Sequence, residues 1–430
     1  MLSGKPGKTL FVSLFLFSLV SLGSASSAFP QPQIAFNHDL LYLNVHTGNL
    51  MIWPAGQDAL EILASASSDS RVQVDGSIVS YTASDSAHEL ALVIERVDST
   101  FEILWLSSQT LDVETIGEFF SLPEVKISPN GRWLAYREEE SVEIFAVDLD
   151  EPEKKISVGI CKKTEMELRT IGCRSFHWSP NGAQLAWTDG RGLWIAQPPA
   201  YEKKVLNNYR LHRIDEEDTI VVGYGIISWS PNSRYLILVR SRYIEGGLFE
   251  LLDAQNGNLV EIPGTFQHGD TLPLFVTWLD GYLFSVNSRD GRFERGPGAA
   301  IWRIDPSSHE LLLHENRYFF GMPCGIVTDT GLYDDHHVYY VISHVEREYC
   351  LEDFDHGLYF SSLPGSYPIL HQELPGYEYW YGGFLWSPDD QFSIMFVEDW
   401  SILNLEEETV ENFTSIIGRS EDICCFTWVE

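Results

Sequence analysis

Basic residues are scarce in this 430-residue chain: 28 Lys and Arg stand against 62 Asp and Glu, a formal net charge of −34. Such a surface repels phosphate backbones, and binding by counterion release needs the Lys/Arg clusters that the chain lacks. Nucleic acid and anionic membranes are therefore poor partners for it. Sulfur is sparse too, with 6 Cys and 5 Met, and no Cys/His spacing suits zinc. Apolar spacing of three and four, the mark of an amphipathic helix, is hard to find. No Gly-x-Ser-x-Gly elbow occurs, which removes the usual signature of an α/β-hydrolase domain. No D-x-D-x-D-G loop of the EF-hand type is present either.

Only the N-terminus carries a long apolar run. "MLSGKPGK" supplies Lys5 and Lys8, "TLFVSLFLFSLVSL" is apolar, and "GSASSA" offers small residues. This three-part grammar is that of a secretory signal peptide spanning 1–28, with cleavage expected after Ala25 or Ala28. The apolar stretch is about 14 residues, short of the roughly 20 that a bilayer span needs. The mature chain is thus expected to be secreted or periplasmic, with no membrane insertion after cleavage. In an oxidising compartment the six cysteines are expected to pair. Cys161 with Cys173 and Cys324 with Cys350 would each staple one loop region, and the adjacent Cys424 and Cys425 would form a vicinal bridge or stay reduced. Asn412-Phe413-Thr414 is a glycosylation sequon if the host is eukaryotic.

Aromatics, glycine and proline are abundant: 19 Tyr, 24 Phe, 13 Trp, 33 Gly and 20 Pro. Aromatics favour the half-buried surface of strands, and dense Gly/Pro punctuation favours short ones. One phrase recurs: "VKISPNGRWLAY" (125–136), "FHWSPNGAQLAW" (176–187), "ISWSPNSRYLIL" (227–238) and "FLWSPDDQFSIM" (384–395). Weaker versions are "VQVDGSIVSY" (72–81), "VTWLDGYLFSV" (276–286) and "LYDDHHVYYVI" (332–342). Taking Gly76, Gly131, Gly182, Ser233, Gly281, His336 and Asp390 as markers gives spacings of 48–55 residues. A period of that size marks a repeat architecture. Within a period the strands run about six residues and are joined by Asn-Gly or Asp-Gly turns, which make antiparallel hairpins. Four strands per period make one blade of a β-propeller. The third unit reads "SFHWS", "AQLAWT", "LWIAQP" and "YRLHRI".

The ends complete the count. "ICCFTWVE" (423–430) resembles a first strand that stops where its turn should follow, while 33–36, 40–45 and 50–53 resemble strands two to four. One blade built from both termini would remove two exposed sheet edges. The expected fold is all-β: a single propeller domain over 29–430, with eight blades, or seven if the N-terminal hairpin only caps the ring.

The Trp-Ser-Pro-Asp/Asn-Gly turns resemble the WD-like repeats of TolB-type β-propeller proteins. The likeness covers nearly all of the mature chain, is clear in four units and is weak near 72–81 and 332–342. It implies a fold, and fold does not dictate function. In the motif itself, Pro129, Pro180, Pro231 and Pro388 pre-set the turn, and Trp178, Trp229, Trp278 and Trp386 are expected to wedge between blades.

Function is then expected where the units differ. "LPGYEYWYGGF" (374–384) gathers Tyr377, Tyr379, Trp380 and Tyr381 beside glycines, a composition suited to stacking on sugars or gripping a peptide. Tyr224 in "VVGYGIISW" is a weaker candidate. The segments 288–300 and 343–357 read as solvated links. Asp334–His337 ("DDHH") would point adjacent histidines to opposite faces, a poor metal site. No cofactor is expected, although an acidic loop such as 215–219 could hold calcium weakly. The leading reading is a monomeric, non-catalytic module binding a protein, peptide or glycan at the channel mouth. The alternative is a carbohydrate-active enzyme using a carboxylate pair in the channel.

Overall fold

Alternating apolar runs and tight polar turns fold as the period demands. The computed structural model describes residues 36–430 apart from 58–59, 87, 139–140, 163, 167–168, 172–175, 190, 208–211, 214–218, 221–222, 243–245, 263–274, 280–281, 289–296, 305–310, 319–324, 335–336, 345–356, 363–368, 374–383, 390, 397–398, 408, 418–422 and 430. Residues 1–35, which contain the expected leader, lie outside this set. Among the described residues, strands assemble into seven four-stranded sheets, one five-stranded sheet and two small hairpins.

We letter the large sheets in chain order. Sheet A joins Ile423–Trp428 to Leu40–Asn44, Asn49–Trp53 and Glu61–Ser65, with Val72–Gln73 added in parallel at its outer edge. Sheet B comprises Ser77–Ala83, Glu89–Glu95, Phe101–Ser107 and Val113–Phe119; sheet C comprises Pro123–Ile127, Trp133–Glu138, Glu143–Asp148 and Lys155–Ile160. Sheet D holds His177–Trp178, Leu185–Asp189, Gly192–Gln197 and Ala200–Asn207; sheet E holds Gly223–Trp229, Tyr235–Arg242, Gly246–Asp253 and Leu259–Glu261. Sheets F, G and H begin at Phe275, Gly325 and Leu385 and end at Tyr318, Glu373 and Asn412.

Each sheet packs on its successor. Leu92 and Leu104 of sheet B share a core with Leu41 and Leu50 of sheet A, Trp178 and Trp187 of D meet Ala135 and Ile144 of C, and Tyr339 and Leu358 of G meet Met395 and Leu403 of H. The ring closes between H and A. Leu40 pairs with Trp428 and Asn44 with Ile423, and Phe36 inserts edge-on among Trp53, Phe392 and Trp428.

Three expectations need correction. The second to fourth strands of sheet A are 40–44, 49–53 and 61–65, one strand later than expected; of the expected segment 33–36 only Phe36 is described, and it is 1% exposed and serves as an aromatic plug. The fourth strand of sheet D is Ala200–Asn207; His212–Arg213 of the expected strand pairs separately with Thr219–Ile220. Asp75-Gly76 is not the first turn of a sheet. Ser77–Ala83 is itself the first strand of B, and the turn follows at Ser84, whose amide donates to Glu89 O and whose hydroxyl accepts from Glu89 N.

That last geometry is the repeat's signature. Ser128 N donates to Trp133 O at 2.7 Å, Trp133 N returns a bond to Ser128 Oγ at 2.8 Å, and Ser128 Oγ donates to Asn130 Oδ1 at 2.8 Å. Ser179 with Asn181, Ser230 with Asn232 and Ser387 with Asp389 repeat the Ser–Asn/Asp bond at 2.6–2.7 Å. The turns also hold one another: Asn130 Nδ2 donates to Asn181 O, Asn181 N to Ser233 Oγ, and Asn37 Nδ2 to Asp389 Oδ2.

Candidate functional site

Antiparallel order sends the connections of every sheet to two edges. First-to-second and third-to-fourth connections emerge on one, the turn edge. Second-to-third connections and the links to the next sheet emerge on the other, the loop edge. The Ser-Pro turns all lie on the turn edge and are consumed by mutual hydrogen bonds. Among the described residues, the loop edge carries no such repeat.

Tyr377, Tyr379, Trp380 and Tyr381 lie outside the described residues. Their segment joins Glu373 of sheet G to Leu385 of sheet H, so its ends sit on the loop edge. At its downstream end Phe384 stacks on Trp386, centroids 5.5 Å apart and 12° between planes, and meets Tyr339 edge-on. Tyr224 stands elsewhere: it is 8% exposed in the core between sheets D and E, with Trp229, Leu236 and Leu193. The structure therefore does not bring Tyr224 to an open surface. The backbones of Asp334 and His337 pair across a hairpin, with 335–336 outside the described residues, as is most of 215–219. No group of three or more metal-ligating side chains occurs among the described residues.

Cys424 and Cys425 are joined in a vicinal disulfide. The pair sits in a bulge of the innermost strand of sheet A, where Cys425 adopts φ +64°. Tyr81 on the innermost strand of B donates its hydroxyl to Cys425 O and contacts Thr427 Oγ1 at 3.1 Å. Cys161 is disulfide-bonded; Cys173, Cys324 and Cys350 all lie outside the described residues.

A polar cluster that sequence patterning did not single out lies on the loop edge between C and D. Asp189 is 1% exposed. Its Oδ2 accepts from Arg191 Nε at 2.8 Å and Lys162 N at 3.1 Å, and its Oδ1 accepts from Trp194 Nε1 at 2.9 Å. Arg191 lies 4.2 Å over the Trp194 ring and donates to Ile160 O, while Ile160 N donates to Glu202 Oε2 at 2.9 Å. The only clue in sequence was "TDGRG", which reads as an ordinary hairpin. With donors and acceptors matched, the cluster ties two sheets together.

Burial pushes two carboxyls above their ordinary range. Glu202 is opposed by the Ile160 amide and Arg191, and Glu89 by the Trp105 indole, which donates to it at 2.5 Å. They stand on the fourth strand of D and the second strand of B. Neither belongs to the first strand of its sheet.

No protein-family model matches the sequence, and no curated protein matches it. Solved structures do. Dihydro-heme d1 dehydrogenase NirN, in complex with DHE, aligns at TM-score 0.51 and 12% identity, over 93% of this chain and 77% of that one. Dipeptidyl peptidase 4 from Porphyromonas gingivalis aligns at TM-score 0.54 and 13% identity, over 88% of this chain and 59% of that one. A closed succession of four-stranded antiparallel sheets has one description. The fold is a β-propeller. TolB from Acinetobacter baumannii is also among the matches, at TM-score 0.34 and 14% identity over 63% of this chain and 62% of that one. At such identities the likeness concerns fold alone. No helix among the described residues of the propeller is long and apolar enough to cross a membrane.

Proposed function

We propose that the chain is an exported, monomeric, eight-bladed TolB-like propeller that binds a protein, peptide or glycan through its loop edge without converting it. Sheets A–H support the count, and the leader grammar of 1–28 supports export. The observation that carries the binding reading is the asymmetry of the two edges. Repeated side chains on the turn edge are spent on holding turn to turn, whereas the loop edge receives the non-repeating segments. The four-aromatic segment 374–384 is one of these.

The test is a screen of the mature protein on a glycan array and a random peptide library, repeated with Tyr377, Tyr379, Trp380 and Tyr381 all changed to Ala. Selective recognition that disappears in the variant is expected. Recognition that survives unchanged would remove the segment from the site, and turnover of an array glycan would overturn the non-catalytic reading.

A further inference from the structure

Among the described residues, exposed large apolar side chains gather on the loop edge of the consecutive sheets A, B and C, with Phe396 of H on the same edge. Phe120 is 90% exposed and Val97 fully so; Val45, Leu122 and Val142 are nearly half-exposed. Val45 and Val97 sit in the second-to-third connections of sheets A and B, Val142 in that of C, and Phe120 and Leu122 in the link from B to C. Bonds between their neighbours link these connections from B to C. Arg96, beside Val97, reaches Glu118 at 3.5 Å. Glu118 lies two residues before Phe120, whose amide donates to Glu138 Oε1 at 3.2 Å. Glu138 O then accepts from Ser141 N, beside Val142. Elsewhere among the described residues the exposed apolar side chains are dispersed: Leu111 and Val113 on B, Tyr201 on D, Ile227 on E, Tyr282 on F and Leu385 on H.

Acid frames the strip. Asp75, Glu95, Asp98 and Glu118 are exposed along it. Its two arginines are already engaged, Arg96 with Glu102 at 2.8 Å and Arg137 with Glu124 at 3.0 Å. Exposed Lys162, next to the Cys161 whose amide bonds to Val142 O, is a basic exception in a surround that is mainly acidic. Exposed apolar side chains in such a surround mark an interaction surface, and the prevailing sign selects the partner. A second copy of this chain, at net charge −34, would bring like charge to it, as would an anionic lipid surface.

We propose that this strip docks a partner protein through a segment in which Lys or Arg alternates with apolar residues. The proposal rests on the reading of the chain as a binding module and assigns it a partner class and a surface on sheets A–C, separate from the aromatic segment between G and H.

The probe is a fluorescent 16-residue peptide of alternating Lys and Leu, titrated into the mature protein at about 0.15 M salt, where long-range attraction is screened. Val97→Ser with Phe120→Ser should weaken binding about tenfold or more, as loss of apolar anchors does. Asp98→Asn with Glu118→Gln should weaken it by a smaller factor, and Leu111→Ser with Val113→Ser should leave it unchanged. Equal loss in the strip and turn-edge variants would reduce the effect to bulk charge and overturn the proposal. So would strip variants that bind as the parent does. Two further outcomes would replace the partner class: sedimentation with zwitterionic vesicles abolished by Phe120→Ser, or a dimer dissociated by it. Because the four-aromatic variant leaves the strip intact, loss of peptide binding confined to that variant would sink this surface and retain the wider reading.

Discussion

The indole of Trp428 donates a hydrogen bond to the carbonyl of Leu385 at 3.1 Å, across the junction of the last sheet with the first. Trp229 does the same to His177 at 3.1 Å and Trp178 to Lys126 at 3.0 Å. In each case the acceptor precedes, in the preceding sheet, the residue equivalent to the tryptophan. The junction between chain ends is thus built like an internal one.

Replacing one of these tryptophans by Phe removes the donor and leaves a carbonyl wanting between two sheets, at about 1–3 kcal/mol. Replacement by Ala adds the cavity and should cost about 3–5 kcal/mol. Chemical denaturation of the Trp178, Trp229 and Trp428 series checks this. If Trp428→Phe cost nothing while Trp229→Phe cost the expected amount, the end-to-end junction would differ in kind from the internal ones.

Turn chemistry makes a second, opposed pair of expectations. Gly182 has φ +67°, and a Cβ there would meet the carboxamide of Asn130, which holds the neighbouring turn. Gly182→Ala should cost about 1–2 kcal/mol from the backbone alone, and more from the displaced Asn130. Ser233 occupies the equivalent place at φ +59°. Ser233→Gly relieves the backbone but removes the hydroxyl that accepts from Asn181 N at 3.0 Å, so the two effects should nearly cancel. Thermal unfolding of both variants reads the difference.

Acid should loosen sheet D through His177. Burial, and then the charge of Lys126, hold this imidazole below its ordinary 6.5, against the pull of Glu124. A group whose folded-state value is lowered contributes fully above its unfolded value and loses that contribution as pH falls through the folded one. His177→Gln should therefore flatten the fall in melting temperature from pH 7 down to about pH 4. A parallel fall in parent and variant would assign the acid sensitivity to other groups.

Where a unit spelled Ser-Pro-Asn, the turn, its strands and its tryptophan were legible, because each residue serves a local bond that any copy must make. Sheet B shows why the rest was not. Its first turn keeps Ser84 but replaces Pro by Asp85 and has no glycine, while Asp75-Gly76, just upstream, imitates a hairpin turn at the wrong place. Phe36 and Asp189 were illegible for another reason. Their roles depend on partners far apart in sequence, such as Phe392 and Trp428 for Phe36. The loop-edge strip was invisible because Val97 and Phe120 look like ordinary strand residues until the sheets place them outside.

Closure of the ring is tested most directly by deleting residues 423–430 and following amide hydrogen exchange by mass spectrometry. Leu40–Asn44 pairs on one side with Ile423–Trp428 and on the other with Asn49–Trp53. The expected result is a collapse of protection at 40–44 in the truncated protein, spreading into Ser77–Ala83, whose Tyr81 loses its bond to Cys425. Protection at 40–44 equal to that of the full chain would contradict a sheet shared by both ends.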